Sequence, residues 1–208
     1  MFSFLDKFSS PVKAMLILTF FGIIGSALVA VSYTVTKAQI AANERAVLTH
    51  HLAVLVPDNL HDNDLLSDSL QVTDAQALGI AEPVTVYRAR YQGLPVAIIL
   101  NVVAPDGYSG KIYLLVAIAY DGTLLGVRVV SHQETPGLGD GIEERHSNWI
   151  LSFAGKSLIN PLENDWKVKR DGGVFDQFSG ATITPRAVVK AVHHALQYYW
   201  EQRERLFL

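Results

Sequence analysis

From Ala14 to Val35 the chain runs AMLILTFFGIIGSALVAVSYTV, twenty-two residues without a charge, bracketed by Lys13 and Lys37. A helix of that length rises about 33 Å, enough to cross a bilayer core of about 30 Å. The stretch is longer than the apolar region of about 7–15 residues in a cleaved leader, although Ala30 and Ser32 offer a weak small-x-small cleavage site, so a signal peptide is the alternative. Charge leaves the orientation tied, with Lys7 and Lys13 on one side and Lys37 and Arg45 on the other. A short tail before the helix and a large domain after it favour tail-in, domain-out. This one segment explains why the hydrophobic content, 50% of 208 residues, is a little high for a soluble domain.

Beyond the apolar run the chain is patterned as one domain on a stalk. Ile40, Val47, Leu48, His51, Leu52 and Leu55 recur near helical spacing, and Pro57-Asp58-Asn59 ends them. HDNDLLSDS, His61 to Ser69, reads as an acidic loop. The expected division is therefore tail and membrane helix over 1–36, stalk and loop over 37–70, and a folded domain over 71–208. In that domain PVTVYRARY alternates, and YQGLP leads from it into VAIILNVVA as a hairpin. Ile112–Ala119 and Leu124–Ser131 read as two further strands joined through Asp121-Gly122, and their apolar content predicts that at least one lies in a sheet buried on both sides. A glycine-rich loop, SHQETPGLGDG, precedes a predicted helix from Ile142 to Phe153 with Ile142, Trp149, Ile150 and Phe153 on one face. WKVKRDGG reads as a short strand and turn. A last helix from Pro185 to Leu206 carries Val188, Val189, Val192, Leu196 and Tyr199 along one side. The fold class is α+β.

Composition excludes several chemistries. There is no cysteine, so disulfides, thiolate-held clusters, covalent c-type haem and a cysteine nucleophile are ruled out. A formal net charge of −3 gives no footing for nucleic acid. His50, His51 and His61 lack metal-ligand spacing, and His193-His194 point about 100° apart on a helix. Glu143 and Glu144 suit a helix start. Tyr198, Tyr199 and Trp200 read equally as an exposed aromatic patch or as core.

Two loops stand out. In FDQFSGATITP, Pro185 suits a first helical turn and Thr184 the cap before it. Gly180 and Ala181 leave room for a close approach, and Thr182 sits near the positive helix end, where an anionic group is stabilised. On local rules the alternative is only a capped helix behind a tight turn. In HQETPGLGD, Pro136-Gly137 and Gly139 force a turn, and His132, Glu134 and Thr135 bring polar groups to a strand end, as a binding loop or a plain connector. GLGDG lacks dinucleotide spacing, and YSGK at Tyr108–Lys111 lacks the first glycine of a phosphate loop. A hydrolase with Thr182 or Ser179 as nucleophile and His132 as base would need an oriented third group.

Asp176, then Ser179-Gly180-Ala181-Thr182, resembles the flavinylation motif, an acid, two residues, then Ser/Thr-Gly-Ala-Thr. With HQETPGLGD, APDGYSGKI and DGGVFDQFSGATITPRAVV, the chain resembles the G subunit of the Rnf electron-transport complex, a sister of the C subunit of the sodium-translocating NADH:quinone oxidoreductase. The resemblance implies FMN joined by a phosphoester to Thr182. Asp176, Ser179, Gly180 and Ala181 would be read by a flavin transferase that uses FAD and magnesium, with Thr184 beside them. Glu134, Thr135, Pro136, Gly137, Leu138, Gly139 and, at its edge, His132 would lie against the flavin. It further implies an electron-carrying subunit, not a stand-alone enzyme, within an ion-translocating ferredoxin:NAD oxidoreductase complex. The other subunits would be its partners, and the domain would face the periplasm from the bacterial inner membrane. The competing expectation is a cofactor-free, membrane-tethered binding or scaffold domain.

Overall fold

A computed structural model describes residues 9–208, so Lys7 and the tail in the charge count lie outside the described residues. The apolar run and the stalk are one continuous helix, α1, Ser10–Leu55. Its apolar part is exposed and long enough to cross a membrane by length and composition. The hydroxyls of Thr34 and Thr36 donate back to the carbonyls of Val31 and Ser32, at 2.9 and 2.8 Å, so neither is unpaired in an apolar surround. The chain forms two compact units, the first ending at Leu48 and the second spanning Thr49–Leu208.

The second unit is built on a five-stranded antiparallel sheet in chain order. Its strands are β1 Ser69–Val72, β2 Val84–Tyr91, β3 Leu94–Ala104, β4 Ile112–Ala119 and β5 Leu124–Ser131. Gln92 and Gly93, with φ of 51° and 77°, make the two-residue β2–β3 turn whose twist suits the flanking strands. The β3–β4 register runs unbroken from Ala97↔Ala119 to Ala104↔Ile112. Ile98, Leu100, Val102, Leu114, Val116 and Ile118 form the core with the last helix, α3 (Ile183–Leu206), through Val188, Val192, Ala195, Leu196 and Tyr199. The alternate residues Ala97, Ile99, Val103, Leu115 and Ala117 are buried too. The end of α1 explains this. Leu52 and Leu55 are buried, and Leu55 packs onto Gly126, the β5 partner of Ala117, where a Cβ would lie 3.1 Å from the Leu55 methyl. Both sheet faces are covered, which is why β3 and β4 are nearly continuous apolar runs.

Several elements depart from local expectation. The acidic loop is tied down: Asp68 accepts from the Nε of Arg88 and of Arg90, at 2.6 and 2.9 Å. Strand β1 and the one-turn helix α2 (Ala75–Leu78), capped by the Asp74 carboxylate, are too short to show a period. The predicted Ile142–Phe153 helix is instead two 3₁₀ turns, Gly139–Ile142 and Trp149–Phe153. Between them Ser147 donates to the Gly141 carbonyl and accepts from the Trp149 N–H, so a side chain takes backbone partners a helix would need. The four residues expected on one face, Ile142, Trp149, Ile150 and Phe153, are nonetheless all buried. WKVKRDGG makes no strand. A 3₁₀ turn at Lys169–Asp171 ends in left-handed Gly172, leaving a single bridge from Val168 to Phe175. Tyr198 and Tyr199 are core, and only Trp200 is exposed.

Candidate functional site

The hydroxyl-rich loop is held from beneath by aromatic residues. Phe175 is buried and stacks on Phe153, with centroids 4.7 Å apart. The Trp149 indole N–H donates to the Asp176 carbonyl at 2.7 Å, and its ring meets Phe178 edge-on at 5.4 Å. Phe178 covers Gly141, where an added Cβ would lie 3.0 Å from the ring. Above this base the chain turns sharply: Ala181 N–H donates to the Phe178 carbonyl at 3.1 Å, and Gly180 takes a φ of +79°.

Here the structure corrects the reading of Thr184. Helix α3 begins at Ile183, so Thr182 holds the cap position, with helical backbone angles and no side-chain capping bond. Thr184 has no solvent exposure, and its hydroxyl donates to the carboxylate of Glu134. Pro185 is the third helical residue, still inside the first turn, where its missing N–H leaves no helix bond unmade. Local rules favour Thr184 as the cap, but a buried carboxylate fifty positions earlier takes its hydroxyl.

Glu134 is itself 4% exposed. Its second oxygen accepts the Ser109 N–H at 2.9 Å, so the acid joins the DGYSG turn, its own loop and the start of α3. Gly139 is required beside it: a Cβ there would stand 2.9 Å from Glu134 Cβ, Glu134 Oε2 and Thr184 Oγ1.

These three segments enclose an open cleft of about 320 Å³. It brings together Thr182, Gly180, Ala181 and Thr184 from one loop with Glu134, Thr135, Leu138 and Gly139 from the other. Two further lining residues, Tyr108 and Ile183, are not among the expected site residues. Tyr108 reads in the sequence only as part of an incomplete phosphate loop, though an aromatic just after an Asp-Gly turn is the available signal. Tyr108, Leu138 and Ile183 are 68%, 47% and 45% exposed, which gives the cleft an apolar rim. Asp176, Ser179, Pro136, Gly137 and His132 do not line it. Asp176 pairs with Lys169 at 2.6 Å on the surface.

His132 lies on the far side of its loop, beside a larger depression of about 600 Å³ that contains no residue of the hydroxyl-rich loop. Its Nδ1 accepts the Glu134 N–H at 3.0 Å, so Nε2 carries the proton and faces Glu143 Oε1 at 2.6 Å. Both nitrogens are committed, and His132 is paired with neither Ser179 nor Thr182. His193 stacks on Trp166 at 5.2 Å. Among the described residues no group of His, Asp or Glu is placed to hold a metal.

Burial alone would raise the Glu143 carboxyl, but hydrogen bonds from Arg145 and His132 outweigh it and hold the group below its ordinary value of 4.5. A depressed folded value contributes stability that is present above that ordinary value and lost as pH falls through the folded one. Glu143→Gln is therefore expected to cost about 1 kcal/mol near neutral pH. Denaturant melts of both proteins should show the gap closing once the pH is well below 4.5. A constant gap would disprove the coupling.

Comparison with known proteins places this geometry. A family model described as FMN-binding domain matches residues 107–197, and one described as RnfG N-terminal region matches residues 9–55. The chain is 49% identical over 194 residues to the G subunit of the ion-translocating oxidoreductase complex of Vibrio atlanticus, covering 93% of this chain and 92% of that one. To the Shewanella amazonensis G subunit it is 50% identical over 187 residues, covering 90% and 87%. To that of Pseudomonas aeruginosa it is 48% identical over 197 residues, covering 95% and 92%. The chain belongs to the G-subunit family of ion-translocating oxidoreductase complexes. Every cleft residue falls inside the region that matches the FMN-binding model, and the N-terminal match of this G-subunit chain coincides with α1.

Proposed function

We propose that the outer unit carries one FMN, joined through its phosphate to the Thr182 hydroxyl, and serves as a membrane-anchored electron carrier within the complex. One observation carries this reading: the Thr182 side chain makes no capping bond, and Thr182 lines the cleft at the start of α3. The residues fit such a group. The first amides of α3 have no helix acceptor, and with the helix dipole they would favour a phosphate by about 0.3–1 kcal/mol. Gly180 and Ala181 add almost no bulk beside it. Tyr108, Leu138 and Ile183 would flank the ring system, leaving one side open to a redox partner. Bound FMN would supply reversible one- and two-electron chemistry, and the chain supplies position and electrostatics. A covalent tether keeps the local cofactor concentration high without a deep pocket.

The natural partners are the other subunits of the complex and, during maturation, a flavin transferase. The domain would lie on the periplasmic side of the inner membrane. The test is the intact mass of the full chain, co-produced with a competent transferase and extracted in detergent. The expected mass is the polypeptide plus one FMN less water, with a fluorescent band on a denaturing gel. A bare polypeptide mass would overturn the reading in favour of a cofactor-free scaffold.

A further inference from the structure

Ser179, Thr182 and Thr184 place three hydroxyls within six residues. Thr182 and Thr184 are the same alcohol at one helix start, so their chemistry alone does not separate them. Their surroundings do. The Thr182 hydroxyl makes no capping bond, and Thr182 lines the cleft. Thr184 is wholly buried, its hydroxyl held by a carboxylate that is itself 4% exposed.

Resting on the FMN reading above, we propose that Glu134 is a positioning residue that selects Thr182 as the one esterified hydroxyl. Glu134 draws Thr184 into the interior and so withdraws the hydroxyl that local rules would make the cap. The helix start then shifts, and Thr182 is left at the rim with its oxygen free. The clasp is built from both ends. Its second oxygen is fixed by the Ser109 N–H, and its backbone N–H by His132 Nδ1 at 3.0 Å. Gly139 keeps the gap between Glu134 and Thr184 clear. Each carboxylate oxygen thus accepts a bond from the protein, which assigns Glu134 to holding the loop.

In the esterification itself, Thr182 Oγ bonds the FMN-side phosphorus of a flavin dinucleotide. The pyrophosphate P–O bond breaks, AMP leaves, and the hydroxyl proton passes to solvent or to a base of the transferase. No electrons change hands. Glu134 takes no part in these bonds and acts only through the position of the acceptor.

The full chain is co-produced with the transferase as wild type, Glu134→Ala, Thr184→Val and Thr184→Ser. Flavin incorporation is followed over time, and the modified residue is mapped by peptide mass spectrometry. Rates are normalised to folded protein from near-ultraviolet circular dichroism, so a loss of fold alone does not lower them. Glu134→Ala and Thr184→Val should each slow loading of Thr182 roughly tenfold, the weight of one charge-assisted hydrogen bond on a loop equilibrium. In Glu134→Ala some flavin should appear on Thr184. Thr184→Ser keeps the bond and should restore the wild-type rate. Wild-type rates in Glu134→Ala and Thr184→Val, with flavin on Thr182 alone, would overturn the proposal. Should Glu134→Ala not fold, equal rates for Thr184→Val and Thr184→Ser overturn it by themselves. Failure of the FMN reading looks different, because the wild-type chain then stays bare.

Discussion

Thr182→Ala is expected to remove the flavin completely while leaving the fold intact. The substitution deletes the one oxygen that would bear the phosphate. It breaks no capping bond, because the Thr182 side chain makes none. A change at such a site stays within about 0.5 kcal/mol of the parent stability. Thr184→Ala, two residues on, should chiefly cost stability, and should slow loading of the flavin rather than abolish it. It leaves the buried Glu134 carboxylate without one of its donors, at about 1.5–3 kcal/mol. The pair thus separates chemistry from architecture within one turn of helix. Intact mass and visible absorbance read the first effect, and denaturant melts of detergent-extracted protein read the second. A flavin mass retained on Thr182→Ala, or a destabilisation there as large as that of Thr184→Ala, would contradict the assignment.

The largest loss of stability is expected from Phe153→Ala. Phe153 has no solvent exposure and sits among Trp149, Trp166 and Phe175, with ring centroids 5.3, 6.4 and 4.7 Å away. Removing a ring from so enclosed a place costs about 3–5 kcal/mol, because the lost contacts are joined by a cavity that rigid neighbours cannot close. For a unit of this size that is a fall in Tm of about 8–16 °C. The same rings hold the loop that ends in Thr182, through Phe175 and through the Trp149 bond to the Asp176 carbonyl. Flavin incorporation should therefore fall with stability, whereas Thr182→Ala uncouples the two. A Phe153→Ala melt within about 1 kcal/mol of wild type would show that this aromatic cluster does not carry the core.

Strands β4 and β5 begin and end where their apolar runs and the Asp121-Gly122 pair put them, and the β2–β3 hairpin turns at Gln92-Gly93. Those features are local: a side-chain period and a turn residue act over a few positions. The helix predicted over Ile142–Phe153 does not form, because its apolar spacing is genuine while the backbone between Ile142 and Trp149 is diverted by Ser147. Most of the cleft is legible as two polar, glycine-bearing loops. Tyr108 and Ile183 are not, since a lining residue without polar chemistry is marked only by where it ends up.

By itself the sequence determined that a membrane-length helix precedes an α+β domain, because absence of charge and side-chain period are properties of neighbouring residues. It also determined that a hydroxyl-rich loop meets the start of the last helix. Only the tertiary structure decided which hydroxyl is available there. That choice depends on Glu134, fifty positions from Thr184 along the chain. A hydrogen bond between residues so far apart leaves no trace in local pattern, and it exists only once the folded core has excluded water from both.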